Sequence, residues 1–158
     1  MKYKFTGKVR IQFGIELKQI IRIADNLIGG WIEKESNLSQ VGNAWVYGDA
    51  SVSGNAQVYG NAQVSGNARV YGDASVYGNA SVSGNALVEK TTDIIVVSNL
   101  QFSITVTLQN CVIGCKIKLH KEWLKVTLKE AIGMGLSKEN YKFYKTLVPI
   151  LFKQVGKY

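Results

Sequence analysis

The chain has 158 residues, 46% of them hydrophobic, and carries 19 Lys and Arg against 11 Asp and Glu, for a formal charge of +8. That length bounds it to one domain or a domain with appendages, with enough apolar material for a core. Two Cys and one His exclude a disulfide-stapled scaffold and make a poor zinc site, which normally takes four ligands.

The opening M-K-Y-K-F-T-G-K is polar and lacks the apolar stretch of a signal peptide. No apolar run approaches the ~20 residues of a membrane span, so a cytoplasmic location is expected. The charge is unevenly placed. Residues 1–40 carry seven basic and four acidic side chains, residues 41–88 only Arg69 against Asp49 and Asp73, and residues 89–158 eleven Lys against five acids. The basic character therefore belongs to the C-terminal part.

Residues 3–23 read as short strands. Tyr3 and Phe5 alternate with Lys, and Val9, Ile11 and Phe13 alternate with Arg10 and Gln12, with turns expected at Gly7 and Gly14. The segment Gly29–Leu38 reads as a degenerate first coil of the repeat at 41–88, with Ile32 and Leu38 in the inward phase that Ala occupies there.

From Val41 to Val88 the chain repeats every six residues. Gly stands at 42, 48, 54, 60, 66, 72, 78 and 84, with Ala two residues after each Gly and Val two residues after each Ala. A short fixed period marks a solenoid, whose units bury their apolar side against their neighbours. In each Ala-x-Val triplet Ala and Val point one way and the middle residue the other. The Gly-Asn or Gly-Asp pair tolerates the positive φ of a tight corner. A strand and a corner every six residues gives three sides, a triangular coil of eighteen residues. Residues eighteen apart should stack, which sets Tyr59 over Tyr77.

After Val88 the period fades. Residues 94–97, 102–108 and 111–119 read as strands. Residues 120–132 read as one amphipathic helix, and a second follows from an N-cap at Ser137 to about Gln154, kinked or ended by Pro149. Cys111 and Cys115 are read as small buried or half-buried thiols in a strand region, and the lone His120 as structural or solvated. The resulting divisions are an N-terminal β cap at 1–28, the repeat at 29–94, and a C-terminal α+β domain at 95–158.

The repeat resembles the hexapeptide-repeat, left-handed parallel β-helix, in which an aliphatic residue is followed four positions later by a small one. Val46 and Ala50, Val52 and Ala56, and Val58 and Ala62 match. The whole chain is similar to small phage and prophage proteins of unknown function, through Tyr3 to Gly7, Gly29 to Ser39, the hexads, and Gly114-Cys115 followed by Glu122-Trp123. The fold this implies is mainly β, a left-handed parallel β-helix with an N-terminal β cap and a C-terminal α+β cap.

The faces of such a rod are nearly uncharged and dotted with aromatic residues, the composition of a protein-binding surface. Trp45, Tyr47, Tyr59, Arg69, Tyr71 and Tyr77 are its candidate partner-binding residues, with Lys116, Lys118, Lys121 and Lys125 on the basic C-terminal part. The resemblance implies a non-catalytic, phage-type binding protein in the host cytoplasm. Its expected action is to bind and inhibit a host protein such as a CRISPR effector or another nucleic-acid enzyme. The basic domain is the surface for any nucleic-acid contact, and a homo-oligomer through a solenoid face remains open.

Two alternatives stand beside it. A hexapeptide-type acyltransferase needs a His base and a projecting loop, and the repeat has neither. A self-assembling structural rod needs open ends, and both ends here run into flanking segments. No catalytic residue, metal site or cofactor is expected.

Overall fold

A computed structural model describes residues 1–157; Tyr158, the last residue of the expected C-terminal domain, lies outside the described residues. Each hexad forms a two-residue strand and a corner. β1 (Tyr3–Gln12), β2 (Ile15–Arg22) and β3 (Ile28–Ile32) precede the eight solenoid strands: β4 (Trp45–Val46), β5 (Ser51–Val52), β6 (Gln57–Val58), β7 (Gln63–Val64), β8 (Arg69–Val70), β9 (Ser75–Val76), β10 (Ser81–Val82) and β11 (Leu87–Val88). The repeat glycines make the corners at φ from 58° to 73°.

The strands stack in parallel with residues eighteen apart in register. Ser51, Arg69 and Leu87 align on side one, Trp45, Gln63 and Ser81 on side two, and Gln57 and Ser75 on side three. The chain is thus a β-solenoid of about three turns with a small helical C-terminal region, as the period predicts.

Inside, the Ala and Val of all eight hexads are sealed at 0–1% exposure. The coils approach so closely that a Cβ at Gly66 would stand 3.0 Å from the backbone nitrogen of Gly84. Outside, the corner amides bond coil to coil: Asn43 donates to Asn61 at 3.0 Å, Asn61 to Asn79 at 3.2 Å, Asn55 to Asp73 at 3.0 Å and Asn67 to Asn85 at 3.3 Å. These ladders account for the Asn or Asp after every repeat glycine except Gly48, whose Asp49 pairs with Arg10 instead.

The first coil departs from the expected register. Trp31 aligns with Ser51, Ile32 with Val52 and Leu38 with Val58, each twenty residues apart. Ile32 and Leu38 therefore occupy the Val layer, not the Ala layer. The Ala position beneath Ala50 falls to Gly30, where even a Cβ would lie 2.7 Å from the Ala50 carbonyl oxygen. An isoleucine could not fit there, and the segment after Leu38 absorbs the two extra residues.

The N-terminal strands form one long antiparallel hairpin in place of several short strands. Gly14 makes the expected turn, with Phe13 and Gly14 both at positive φ (52° and 78°), the two-residue type I′ geometry. Gly7 lies within β1, where the register shifts between Phe5 and Val9, so its positive φ makes a bulge and not a turn. Sheet order β1-β2-β3-β5-β8-β11 continues side one of the solenoid below its first coil. Tyr3, Ile20 and Trp45 plug that end. The Tyr3 hydroxyl donates to Leu38 O at 2.9 Å, and burial pushes its pKa up to about 12.

At the far end a 3₁₀ turn (Thr91–Asp93) leads into an antiparallel meander of β12 (Ile94–Val97), β13 (Ile104–Thr107), β14 (Cys111–Ile113) and β15 (Lys116–Lys118). The expected single strand over 111–119 is folded back on itself at Gly114, which takes φ 58°. Side chains, not strands, close the last coil. Thr105 accepts from Ser81 N, Gln109 accepts from Leu87 N, and Asn110 donates to Ser83 O, each at 2.9 Å.

Three helices cover the meander: α1 (His120–Lys125), α2 (Leu128–Gly133) and α3 (Lys138–Gln154). The expected helix over 120–132 breaks at Val126 because Thr127 N-caps a new one, its hydroxyl accepting from Glu130 N while the Glu130 carboxylate accepts from Thr127 N. Helix α3 starts at the Ser137 cap and ends at Gln154, both as expected, and stays helical through Pro149. Together these elements bury a second core around Ile104, Val106, Trp123, Tyr144 and Val148.

Candidate docking surface

Outward residues of the solenoid become a binding surface only where nothing else covers them. On side one the hairpin lies across the coils. Arg10 stacks its guanidinium 4.5 Å from the Trp31 ring centre and donates to Asp49 O at 2.9 Å. The Arg69 guanidinium lies 3.9 Å from the Phe13 ring and 5.2 Å from that of Tyr71. Beneath, Ser51 and Ser53 are 4% and 8% exposed. Arg69 and Tyr71 are thus half-buried in a cluster that holds the hairpin tip.

Side two is covered at its first strand. Trp45 is 1% exposed, edge-on to Tyr3 at 6.2 Å and beneath Arg22 at 5.4 Å. The reading of Trp45 as a surface residue is therefore corrected: it sits in the first coil, where an open apolar end needs a large plug. Tyr47, two residues on, is half-buried against the same core.

Tyr59 and Tyr77 stand free. Their rings stack 5.3 Å apart and 11° from parallel, as the eighteen-residue coil predicts, and are 39% and 54% exposed. They occupy the corner between sides two and three, flanked by exposed Gln57 and Gln63 and by the hydrogen-bonded pair Asn61 and Asn79. Above Gln63, a groove of about 610 Å³ runs between side two and the C-terminal meander, lined by Ser65, Ser81, Ser83 and Ser103 with Ile117.

The four lysines lie on β15 and α1. Lys116, Lys121 and Lys125 are exposed and Lys118 is half-buried. Lys121 and Lys125, four apart on α1, share a face. Glu130 is held below the usual carboxylate range, first by its hydrogen bonds from Thr127 and further by Lys118 and Lys145, so part of the Lys118 field is already answered. Among the described residues, the ion pairs join Arg10 to Asp49, Lys18 to Glu16 and Arg22 to Asp25, all in the N-terminal half.

His120 stacks on Phe152 at 4.1 Å, and its Nε2 donates to Thr107 O at 2.8 Å, which ties α1 and α3 to the meander. Cys111 is buried as expected, and burial pushes its thiol up to about 12, while Cys115, expected to be buried or half-buried, is exposed because it sits on the β14–β15 turn. Native protein should therefore take up one equivalent of iodoacetamide at pH 8, at Cys115, and a second only on denaturation, as counted by intact mass. Two equivalents without denaturant would contradict the burial of Cys111.

Among the described residues, no group of three or more His, Cys, Asp or Glu could hold a metal ion, and no helix is long and apolar enough to cross a membrane. A family model described as a YdcK beta solenoid repeat matches residues 62–78. The middle of the chain is a β-solenoid repeat. The matched stretch is about one coil and contains Tyr77 but not Tyr59. No curated protein matches the chain.

Proposed function

We propose that this is a non-catalytic binding protein that docks a partner protein on the corner between sides two and three. One observation carries the reading: a stacked, exposed tyrosine pair on a rigid, uncharged rod, on the only two of the six solenoid candidates that no other described part of the chain covers. Tyrosine supplies contact area at small entropic cost because it has few rotatable bonds, and aromatic residues dominate hot spots. The coil-to-coil ladders hold both rings in place before a partner arrives, so little ordering cost remains.

The finer reading is that the partner is a host nucleic-acid enzyme, that binding inhibits it, and that the protein is of phage type. The resemblance of Gly29–Ser39 and of the flanks supports it, and exposed Lys116, Lys121 and Lys125 provide a surface for an anionic segment beside such a partner.

The test is capture of a partner from nuclease-treated bacterial lysate by wild-type protein and by the Tyr59→Ser, Tyr77→Ser double variant. A stoichiometric enzyme retained by the wild type and held about 10–100-fold more weakly by the double variant is expected, the loss of two hot-spot rings. Equal retention by the two proteins would remove this corner as the docking site. Capture that disappears on nuclease treatment would move the contact to the lysines.

A further inference from the structure

Among the strands that end a sheet, β15 and β1 differ in how their free edge is protected. β15, at the edge of the C-terminal meander, reads Lys116-Ile117-Lys118, and lysines are a common guard against further pairing. β1, at the edge of the six-stranded sheet, has no such guard between Val9 and Gln12. Its only charge there, Arg10, is turned in to Trp31 and Asp49. Val9, Ile11 and Phe13 are 57%, 69% and 74% exposed.

The type I′ turn decides which backbone groups are free. In a two-residue hairpin the residues flanking the turn exchange both hydrogen bonds, and bonded pairs then alternate along the ladder. Gln12 with Ile15 and Arg10 with Leu17 are the bonded pairs, so the N–H and C=O of Val9 and Ile11 point away from β2. Hydrogen-bonding groups and apolar side chains thus share the same two residues at an open edge.

We propose that this edge pairs with β1 of a second copy, antiparallel about a two-fold axis at Ile11. That register sets Ile11 against Ile11 and Arg10 against Gln12, with Val9 facing the turn residue Phe13, whose ring stays on Arg69, so apolar side chains meet at the axis and no like charges oppose. Shifting the axis by one residue would set Arg10 against Arg10. The pairing of Arg10 with Gln12 on both sides of Ile11, which a foreign strand would have to reproduce, is what selects a second copy. The bulge between Phe5 and Val9 ends the straight part of the edge, and a two-fold contact uses each edge once, so the assembly closes as a dimer. Tyr59 and Tyr77 lie on other sides of the solenoid, so the inference stands apart from the proposed function.

Light scattering over a dilution series reads the result directly. Wild-type protein is expected at twice 17.4 kDa at high concentration, dissociating on dilution. Ile11→Lys, at an exposed position, should weaken the dimer at least tenfold with unchanged circular dichroism and melting. In a Cys115→Ser background, Ile11→Cys should crosslink to a covalent dimer on mild oxidation, and Ile28→Cys, also exposed but away from the free edge, should not. A wild-type monomer at every soluble concentration would overturn the proposal, as would a dimer insensitive to Ile11→Lys or equal crosslinking from both cysteines.

Discussion

Asn37→Asp is expected to lower the unfolding free energy by about 3 kcal/mol at neutral pH, read as a lower urea midpoint at unchanged slope. Asn37 is 0% exposed, and its amide nitrogen donates to Gly54 O at 3.1 Å and Ala56 O at 2.8 Å, in place of the backbone N–H groups that a strand would supply. Its oxygen accepts from Lys34 N at 2.9 Å. Aspartate keeps the shape and the acceptor, loses both donors, and turns a carboxylate toward two carbonyl oxygens. Burial and those oxygens raise the introduced pKa above the ordinary ~3.9, so the penalty should be smallest below about pH 4 and grow as pH rises through the raised value.

The matching turn at the other end supplies the control. Ile32-Glu33-Lys34-Glu35-Ser36-Asn37-Leu38 and Val88-Glu89-Lys90-Thr91-Thr92-Asp93-Ile94 are variants of one pattern, each with a 3₁₀ turn. Asp93 only accepts, from Glu89 N at 3.0 Å and Lys90 N at 2.9 Å, a role an amide oxygen can fill. Asp93→Asn should therefore cost less than about 1 kcal/mol. Equal losses at the two ends would show that the Asn37 donors are not what stabilises the first coil.

The second large effect is expected inside the coil. Ala68→Leu adds three carbon atoms at a position that is 0% exposed, between the layers of Ala50 and Ala86. The walls are backbone ladders that cannot spread without breaking bonds such as Ser51 N to Ala68 O at 3.0 Å and Arg69 N to Ala86 O at 2.9 Å. Overpacking of this kind costs about 1–3 kcal/mol, a fall in Tm of roughly 3–10 °C for a chain of this size. Gln57→Leu, the same side chain on the exposed side of β6, should stay within about 0.5 kcal/mol. Similar melting of both variants would mean that the interior is looser than its sealed Ala and Val indicate.

Much of the fold was legible because the solenoid is nearly a one-dimensional object. Its period sets the strand, the corner and the stacking partner of every residue, and that arithmetic alone set Tyr59 on Tyr77. The corners were legible too, since each Gly is followed by Asn or Asp, while the amide ladders between corners emerge only from the stacked coils. The register of the first coil was not. Counting back by six put Ile32 in the Ala layer, but the steric limit at Gly30 belongs to the contact between coils and cannot be read from one of them. The break between α1 and α2 lay in the sequence as the capping residues Thr127 and Glu130, masked by an apolar face that continues across it.

The candidate surface divides in the same way. Composition and period determined that the outward residues are polar and aromatic, and which of them stack. They could not determine which would be covered, because that depends on where a hairpin remote in sequence comes to rest. Trp45 and Arg69 fit the outward pattern as well as Tyr59 does. Only the tertiary structure puts Trp45 beneath Tyr3 and Arg22, and Arg69 against Phe13, leaving Tyr59 and Tyr77 open. A six-residue repeat specifies contacts between neighbouring coils, each eighteen residues apart. The non-repeating ends are placed by packing, which depends on shape and apolar area and has no period to read.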